Sequence, residues 1–159
     1  MATIAAPFGF RPVGLLGGGT WSDAIRHIKI ANNYGTAIFY GDVVKLVNTG
    51  TVEKDTGTTA MTPCGIFVGC RYTDPGSGQL TFNQFYPAST AADDVMAYVC
   101  DDPDVVFQAQ ADEAVAQTAL GNNVAVVQTG GSTAIGTSRN AIDGGSNAVT
   151  KTLPIRIID

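Results

Sequence analysis

The chain has 159 residues, of which 45% are hydrophobic and 14% charged, and its formal net charge is −5. This length suits one domain whose core needs no metal or disulfide support. Nine Lys and Arg residues against 14 Asp and Glu residues leave no basic surface of the kind that nucleic acid binding requires. No run approaches the roughly 18 apolar residues of a membrane-spanning helix, and residues 4–16 lack the leading cation and unbroken apolar core of a signal peptide. We expect a protein that is made in the cytoplasm, binds neither nucleic acid nor membrane, and covers its weakly charged surface with a partner or a further subunit.

Residues 1–22 are predicted to form an extended arm on a single β-domain of residues 23–159. Pro7, Pro12 and the triple glycine at 17–19 prevent a helix, and the segment is too apolar for an ordinary disordered tail. We expect it to become ordered against another subunit or against its own domain. Ile4 is one apolar anchor, and the residues predicted to contact a partner are Phe8, Phe10, Arg11, Val13, Leu15, Leu16 and Trp21.

Short apolar segments separated by turn residues follow the arm. Abundant Gly, Thr, Val and Asn disfavour helices and suit strands joined by turns. The early segments are predicted to form a meander, and the turn residues at 74–78 predict a second hairpin. Strands are predicted over residues 24–30, 38–40, 43–47, 51–54, 65–73, 80–86, 95–100, 105–110, 124–128 and 153–158.

Two later segments depart from this pattern. Residues 112–120 begin with acidic side chains and are followed by Gly121, which predicts a short helix. Residues 129–150 are rich in Gly, Ser, Thr and Asn and are predicted to be a long surface loop. The predicted fold class is all-β: an antiparallel β-barrel or a jelly-roll-like β-sandwich, with an extended N-terminal arm and at most one short helix.

The sequence carries no recognisable catalytic pattern. His27 is the only histidine, and its neighbours Arg26 and Lys29 disfavour the imidazolium that a catalytic triad relies on. Neither a phosphate-binding glycine loop nor a G-x-S-x-G nucleophile motif is present. We therefore predict no enzyme activity, and no catalytic, cofactor-binding or metal-binding residues. The cysteines are odd in number and have apolar neighbours, so we expect buried free thiols at Cys64, Cys70 and Cys100.

The densest charged feature is a series of aspartates. Such carboxylates can hold Ca²⁺, but the spacing fits no calcium loop, and aspartate is common in turns for backbone reasons. We favour solvated turn residues over a calcium site, and their spread along the chain disfavours the paired carboxylates of a glycosidase. The series comprises Asp93, Asp94, Asp101, Asp102 and Asp104, with Asp112 and Glu113 farther on.

Three parts of the sequence together resemble a known family. They are APFGFRPV at 6–13, followed by the triple glycine; GIFVGCRYT at 65–73, followed by FYPA at 85–88; and AYVCDDP at 97–103, followed by VFQAQAD at 106–112. In this order they resemble the capsid decoration (cement) proteins of tailed bacteriophages, especially phages of marine and aquatic hosts. The resemblance implies a β-rich domain on the outer capsid surface over junctions between capsomers. It also implies the major capsid protein as partner, often a trimeric state, and arms that reach neighbouring subunits.

Two other functions stay open. One is a different virion component, such as a tail or fibre subunit or a minor coat protein. The other is a carbohydrate-binding β-sandwich, because aromatic side chains can stack on sugars. The candidate stacking residues are Trp21, Tyr34, Tyr40, Tyr72, Tyr86 and Tyr98.

Overall fold

A computed structural model describes residues 5–22 and 24–159 of the chain, and within these ranges the regular structure is almost entirely β. The short segments predicted from the turn pattern become short strands, and the one helical element is a single 3₁₀ turn at Gln117–Ala119. The strands are β1 (Arg11–Leu15), β2 (Ile25–Lys29), β3 (Val43–Leu46), β4 (Val52–Lys54), β5 (Gly65–Thr73), β6 (Leu80–Asn83), β7 (Met96–Cys100), β8 (Val105–Gln108), β9 (Asn123–Val127), β10 (Ala141–Ala148) and β11 (Ile155–Arg156).

The strands form three sheets, and every strand pair is antiparallel. The main sheet has the order β2-β7-β5-β3-β4, with β6 also paired to β5. A two-stranded sheet joins β1 to β8, and a three-stranded sheet has the order β10-β9-β11. The arrangement is open and sandwich-like, so the all-β antiparallel class predicted from the sequence is confirmed.

The long central strand β5 organises the main sheet. It pairs with β7 on one side and with β3 and then β6 on the other. A register shift between Phe67 and Gly69 interrupts the ladder to β7, and Gly69 has a φ of 144°, a backbone conformation that glycine adopts without a Cβ penalty. The predicted hairpin follows β5: the Asp74 carboxylate accepts hydrogen bonds from the backbone N–H groups of Gly76 and Ser77 and so fixes the turn.

The alternation of side chains along β3 and β5 separates two apolar cores. Val44 and Phe67 point to the main core, whereas their chain neighbours Val43 and Ile66 point to the second core on the other face. The main core comprises Ile28, Ile30, Ile38, Val44, Val52, Phe67, Cys70, Tyr72, Tyr86, Ala92, Val95, Ala97 and Val99. The second core comprises Phe10, Val43, Ile66 and Val126, with Met61, Phe107, Ala109, Ile142 and Ile155 packed against it.

The second core includes part of the predicted arm, so residues 10–15 are ordered against the chain's own domain, which is one of the two outcomes expected for this segment. Arg11–Leu15 forms β1 and pairs with β8, and Phe10 is only 3% exposed. The physical reason is that the prolines and glycines of this segment rule out a helix but not an edge strand, where a proline without an N–H is tolerated. Residues 1–4, including the anchor Ile4, lie outside the described residues.

Three predictions of local structure were wrong. Residues 38–40 form only isolated bridges, Ile38 with Tyr86 and Tyr40 with Thr137. The helix predicted over 112–120 is reduced to the 3₁₀ turn Gln117–Ala119, because Ala111 bridges to Ile142 and the N–H of Asp112 donates to the Ile142 carbonyl, which ties the start of the segment to β10. The predicted loop 129–150 contains β10, whose Ala141 is buried and whose Ile142 packs on the second core.

No helix long and apolar enough to cross a membrane occurs in residues 5–22 and 24–159.

Candidate partner-binding groove

An open apolar groove of about 990 Å³ lies beside the second core. One wall is β8 together with the residues of the N-terminal segment that accompany it, and a second wall is β11 with residues 157–159. The connection 63–65 and the turn at 101–103 also line it. The groove is therefore built from stretches of chain that are far apart in the sequence.

Buried and exposed apolar side chains have different places in the groove. Phe10, Val43 and Ile66 belong to the buried second core and form its floor. Val13 and Leu16 also line it, but they are 55% and 63% exposed. Large side chains left in water in this way gain roughly 1.5–3 kcal/mol each when a partner buries them, before ordering costs.

Both walls of the groove contain strands that are paired on one side only. Among the described residues, β8 pairs only with β1 and β11 pairs only with β9. Each strand therefore keeps one edge whose backbone groups have no ladder partner. Such edges accept an extended peptide segment by strand addition.

Charge along the groove is mainly negative. The carboxylates of Asp101, Asp102 and Asp159 line it, with Arg156 as the basic lining residue. Arg26 forms an ion pair with Asp101 from outside the groove, and the Asp102 carboxylate accepts a hydrogen bond from a backbone N–H within its own turn. An apolar segment flanked by a basic residue matches this surface in both shape and charge.

The residues predicted to contact a partner are only partly brought together. Phe10, Val13 and Leu16 line the groove, although Phe10 does so as a core residue. The Arg11 guanidinium lies over the Phe8 ring, 4.3 Å from its centroid, so these two side chains contact each other away from the groove. Leu15 and Trp21 are half-buried and do not line it.

Sequence reasoning missed the wall of the groove that residues 154–159 form. Residues 153–158 were predicted only as a closing strand, yet residues 154–159 line the groove, and Ile158 is 44% exposed. Ile155 packs on the second core at the same time. Residues 153–158 are apolar apart from Arg156, which is enough to predict a strand, but nothing in this pattern indicates that β11 and β8 line the same groove.

The other residue types considered for chemistry do not assemble into one site among the described residues. His27 is exposed on β2 and packs against Tyr98 of β7 with ring centroids 4.6 Å apart. The Asp94 carboxylate accepts hydrogen bonds from the Thr73 side chain and backbone, which lower its pKa, and Asp93 accepts one from Asn32. The aspartates at 93–94 and at 101–104 thus serve separate turns.

One further acidic group brings together carboxylates that lie far apart in the sequence. Oxygens of Asp112, Glu113 and Asp143 lie within 4.8 Å of one another, with the first two residues exposed. Exposed carboxylates cluster readily in turns, and Asp112 is already engaged with the N–H of Gly144.

The three cysteines are free, and Cys70 and Cys100 are fully buried. Burial raises the pKa of Cys70 to about 12 and, with the nearby Asp101 and Asp102 carboxylates, that of Cys100 to about 11. Cys64 is half-buried at the groove, and its pKa is raised mainly by burial. Thiols of this kind are protonated at neutral pH and weakly nucleophilic.

The tyrosines proposed as sugar-stacking residues are largely structural. Tyr72 and Tyr86 are buried in the main core, and Tyr34 packs against it with its hydroxyl accepting the N–H of Lys54. The hydroxyl of Tyr86 donates to the Tyr34 carbonyl. The Tyr34 and Tyr86 rings lie 6.1 Å apart between centroids, so their faces are used for packing within the protein.

Comparison with protein-family models, with curated proteins and with solved structures finds no match to this chain.

Proposed function

We propose that this chain is a structural virion protein that decorates the outer surface of a tailed-phage capsid and stabilises it by bridging neighbouring major capsid subunits. One observation supports this most directly: Val13 and Leu16, which lie in the sequence that resembles decoration proteins or directly after it, are exposed along an open apolar groove. Folding alone leaves these side chains in water, so a partner gains from covering them. The proposed partner is the major capsid protein, and the protein has no enzymatic role in this proposal.

The groove favours an extended segment of the capsid subunit. Strand edges on both walls supply backbone donors and acceptors, the apolar floor takes alternate side chains, and Asp101, Asp102 and Asp159 attract a flanking Lys or Arg. Many copies on one closed shell add their contributions through multivalency. We propose that the protein is a homo-oligomer, most simply a trimer. Size-exclusion chromatography with light scattering of the free protein tests this.

Deletion of residues 2–20 is a poor test, because it would remove Phe10 from the second core and β1 from its ladder. Substitution of the two exposed anchors is better: V13D/L16D leaves the core untouched but places two carboxylates in an acidic apolar groove. We expect at least a tenfold loss of binding to purified capsids that lack the protein, since about 1.4 kcal/mol corresponds to tenfold. Cosedimentation with capsids measures it.

V149D is the matched control, because Val149 is 95% exposed and lies away from the groove. Binding should be unchanged in V149D, and both variants should keep the wild-type circular dichroism spectrum. Undiminished capsid binding by V13D/L16D would refute the role of the groove. If electron microscopy with a labelled protein places it on the tail, the capsid role fails and the tail or fibre alternative gains support.

A further inference from the structure

A buried carboxylate bridges a lysine and an asparagine at the junction of two sheets. Asp42 precedes β3, Lys54 ends β4, and Asn140 precedes β10. The Lys54 Nζ lies 2.9 Å from Asp42 Oδ2, and the Asn140 Nδ2 donates to Asp42 Oδ1 over 3.2 Å. The amine and the carboxamide are therefore held at the two oxygens of one carboxyl group.

All three side chains are removed from water. Asp42 and Asn140 are 0% exposed, and the Lys54 side chain is 9% exposed. Two more donors complete the carboxylate shell, the Phe39 N–H at 2.9 Å and the Ser138 hydroxyl at 2.7 Å. A buried ion pair is often no more stabilising than apolar residues of equal volume, so stability alone does not account for these three groups at this place.

The Asn140 side chain is also held at its carbonyl end. Its Oδ1 accepts a hydrogen bond from the Thr129 N–H over 3.0 Å. A fixed backbone N–H at a carbonyl oxygen stabilises the negative charge that develops when a nucleophile attacks the carbon. Because the amine and the carboxamide are both held at one buried carboxylate, their encounter is intramolecular and takes place in a water-poor site.

We propose that Lys54 and Asn140 become joined by an intramolecular isopeptide bond, with Asp42 as the catalytic acid and base. Asp42 takes a proton from the Lys54 ammonium, and the free amine attacks Cγ of Asn140 while Thr129 N–H stabilises the Oδ1 anion. The Nζ–Cγ bond forms, Asp42 returns its proton to Nδ2, and the Cγ–Nδ2 bond breaks with release of ammonia. Asp42 then passes the second proton of the attacking nitrogen to the ammonia. One ammonium and one carboxamide become one secondary amide and one ammonium ion, and nothing is oxidised or reduced.

The bond would tie the end of β4 in the main sheet to the start of β10 in the three-stranded sheet. It goes beyond the capsid role and does not depend on it. Its product is a chain that stays closed between residues 54 and 140 even when the protein is unfolded.

Tryptic digestion of the denatured wild-type protein, followed by mass spectrometry, tests the proposal. Trypsin cannot cleave after an acylated lysine, so residues 46–71 should remain intact and be joined to residues 140–151. The joined species should weigh one ammonia less than the sum of the two peptides. Cleavage after Lys54, which gives the separate peptides 46–54, 55–71 and 140–151 in the digest of the mature protein, would overturn the proposal. So would a link between residues 46–71 and residues 30–45 with loss of water, because that product joins Lys54 to Asp42.

Two conservative variants test the roles of the groups. K54R keeps the positive charge but has no primary amine, and D42N keeps the shape of the side chain but cannot accept a proton. Both should yield only the separate peptides. A branched peptide in full yield from D42N would overturn the role of Asp42. If either variant fails to fold, the wild-type digest decides by itself whether the bond exists. The yield of branched peptide from the wild type, measured at increasing times after synthesis, then follows the formation of the bond.

Discussion

Pro12 of β1 lies opposite Phe107 of β8 in an antiparallel ladder. Proline has no N–H to give to the ladder, and it is tolerated here because a two-stranded sheet makes β1 an edge strand. Phe107 packs on the second core, whereas the residue after Pro12, Val13, is more than half exposed. The N-terminal segment is therefore fixed to its own domain and still offers apolar side chains to a partner.

The close approach of this segment to the domain predicts a strong effect of G9A. Gly9 has a φ of 75°, and a Cβ there would lie 2.6 Å from the Gly41 carbonyl oxygen and from the Ser138 Cβ. Backbone strain and overpacking of this kind cost about 1–3 kcal/mol each. We expect the free energy of unfolding of G9A, measured by urea denaturation, to be lower than that of the wild type by about 1–3 kcal/mol or more.

G17A is the matched control for G9A. Gly17 lies in the same segment, but a Cβ there would meet no atom within 4 Å. Its substitution should change the free energy of unfolding by less than about 1 kcal/mol. Equal stability of G9A and G17A would contradict the packing of residues 9–10 against the domain.

F10A tests whether the second core depends on the N-terminal segment. Phe10 is 3% exposed and packs with Val43, Ile66 and Val126. Truncation of a buried phenylalanine costs about 3–5 kcal/mol because it removes apolar contacts and leaves a cavity. V13A, at a residue that is 55% exposed, should cost far less in the same urea titration. A loss of stability below about 1 kcal/mol for F10A would show that the segment is dispensable for folding.

Local patterns were sufficient to predict most strands. Residues 65–73 contain an apolar run and end at a series of turn residues, and the predicted bounds are those of β5. β10 was missed because its sequence AIDGGSNA has little apolar alternation, and its ladder to β9 shifts register between Asp143 and Ala148. Long-range pairing, which a local pattern does not contain, makes this segment a strand.

The same limit applies to the groove. Val13 and Leu16 were selected because they are apolar in a segment that cannot form a helix, and both line it. Phe10 has the same local character but is buried, because Gly9 and Gly41 allow the backbone to approach closely at this point. Residues 154–159 reach the groove because β11 pairs with β9. The spacing of residues in the sequence does not predict this pairing.

D94N should weaken the dependence of stability on acid pH. Hydrogen bonds from the Thr73 hydroxyl and N–H lower the pKa of Asp94 below its ordinary value of 3.8. A carboxyl with a lower pKa in the folded state contributes stability above its unfolded pKa and loses it as the pH falls through the folded pKa. In thermal melts of wild type and D94N, we expect the two melting temperatures to differ at neutral pH and to converge below the ordinary pKa.

D104N serves as the control for D94N, because Asp104 is an exposed aspartate in another turn. Its melting temperature should follow that of the wild type across the same pH series. If D94N and wild type differ by a constant amount at every pH, the effect does not come from titration of Asp94.

Alkylation of the cysteines should report both packing and occupancy of the groove. The thiolate is the reactive form, and burial raises the pKa of Cys70 to about 12 and that of Cys100 to about 11, so neither should react with iodoacetamide in the folded protein at mildly alkaline pH. Cys64 is half-buried and lines the groove, so it should react first. In urea all three should react alike, which peptide mass spectrometry measures.

Protein bound to capsids should lose the reaction at Cys64 if the capsid segment fills the groove. Unchanged alkylation of Cys64 on the capsid would place the contact elsewhere, while early reaction at Cys70 would contradict the main core itself.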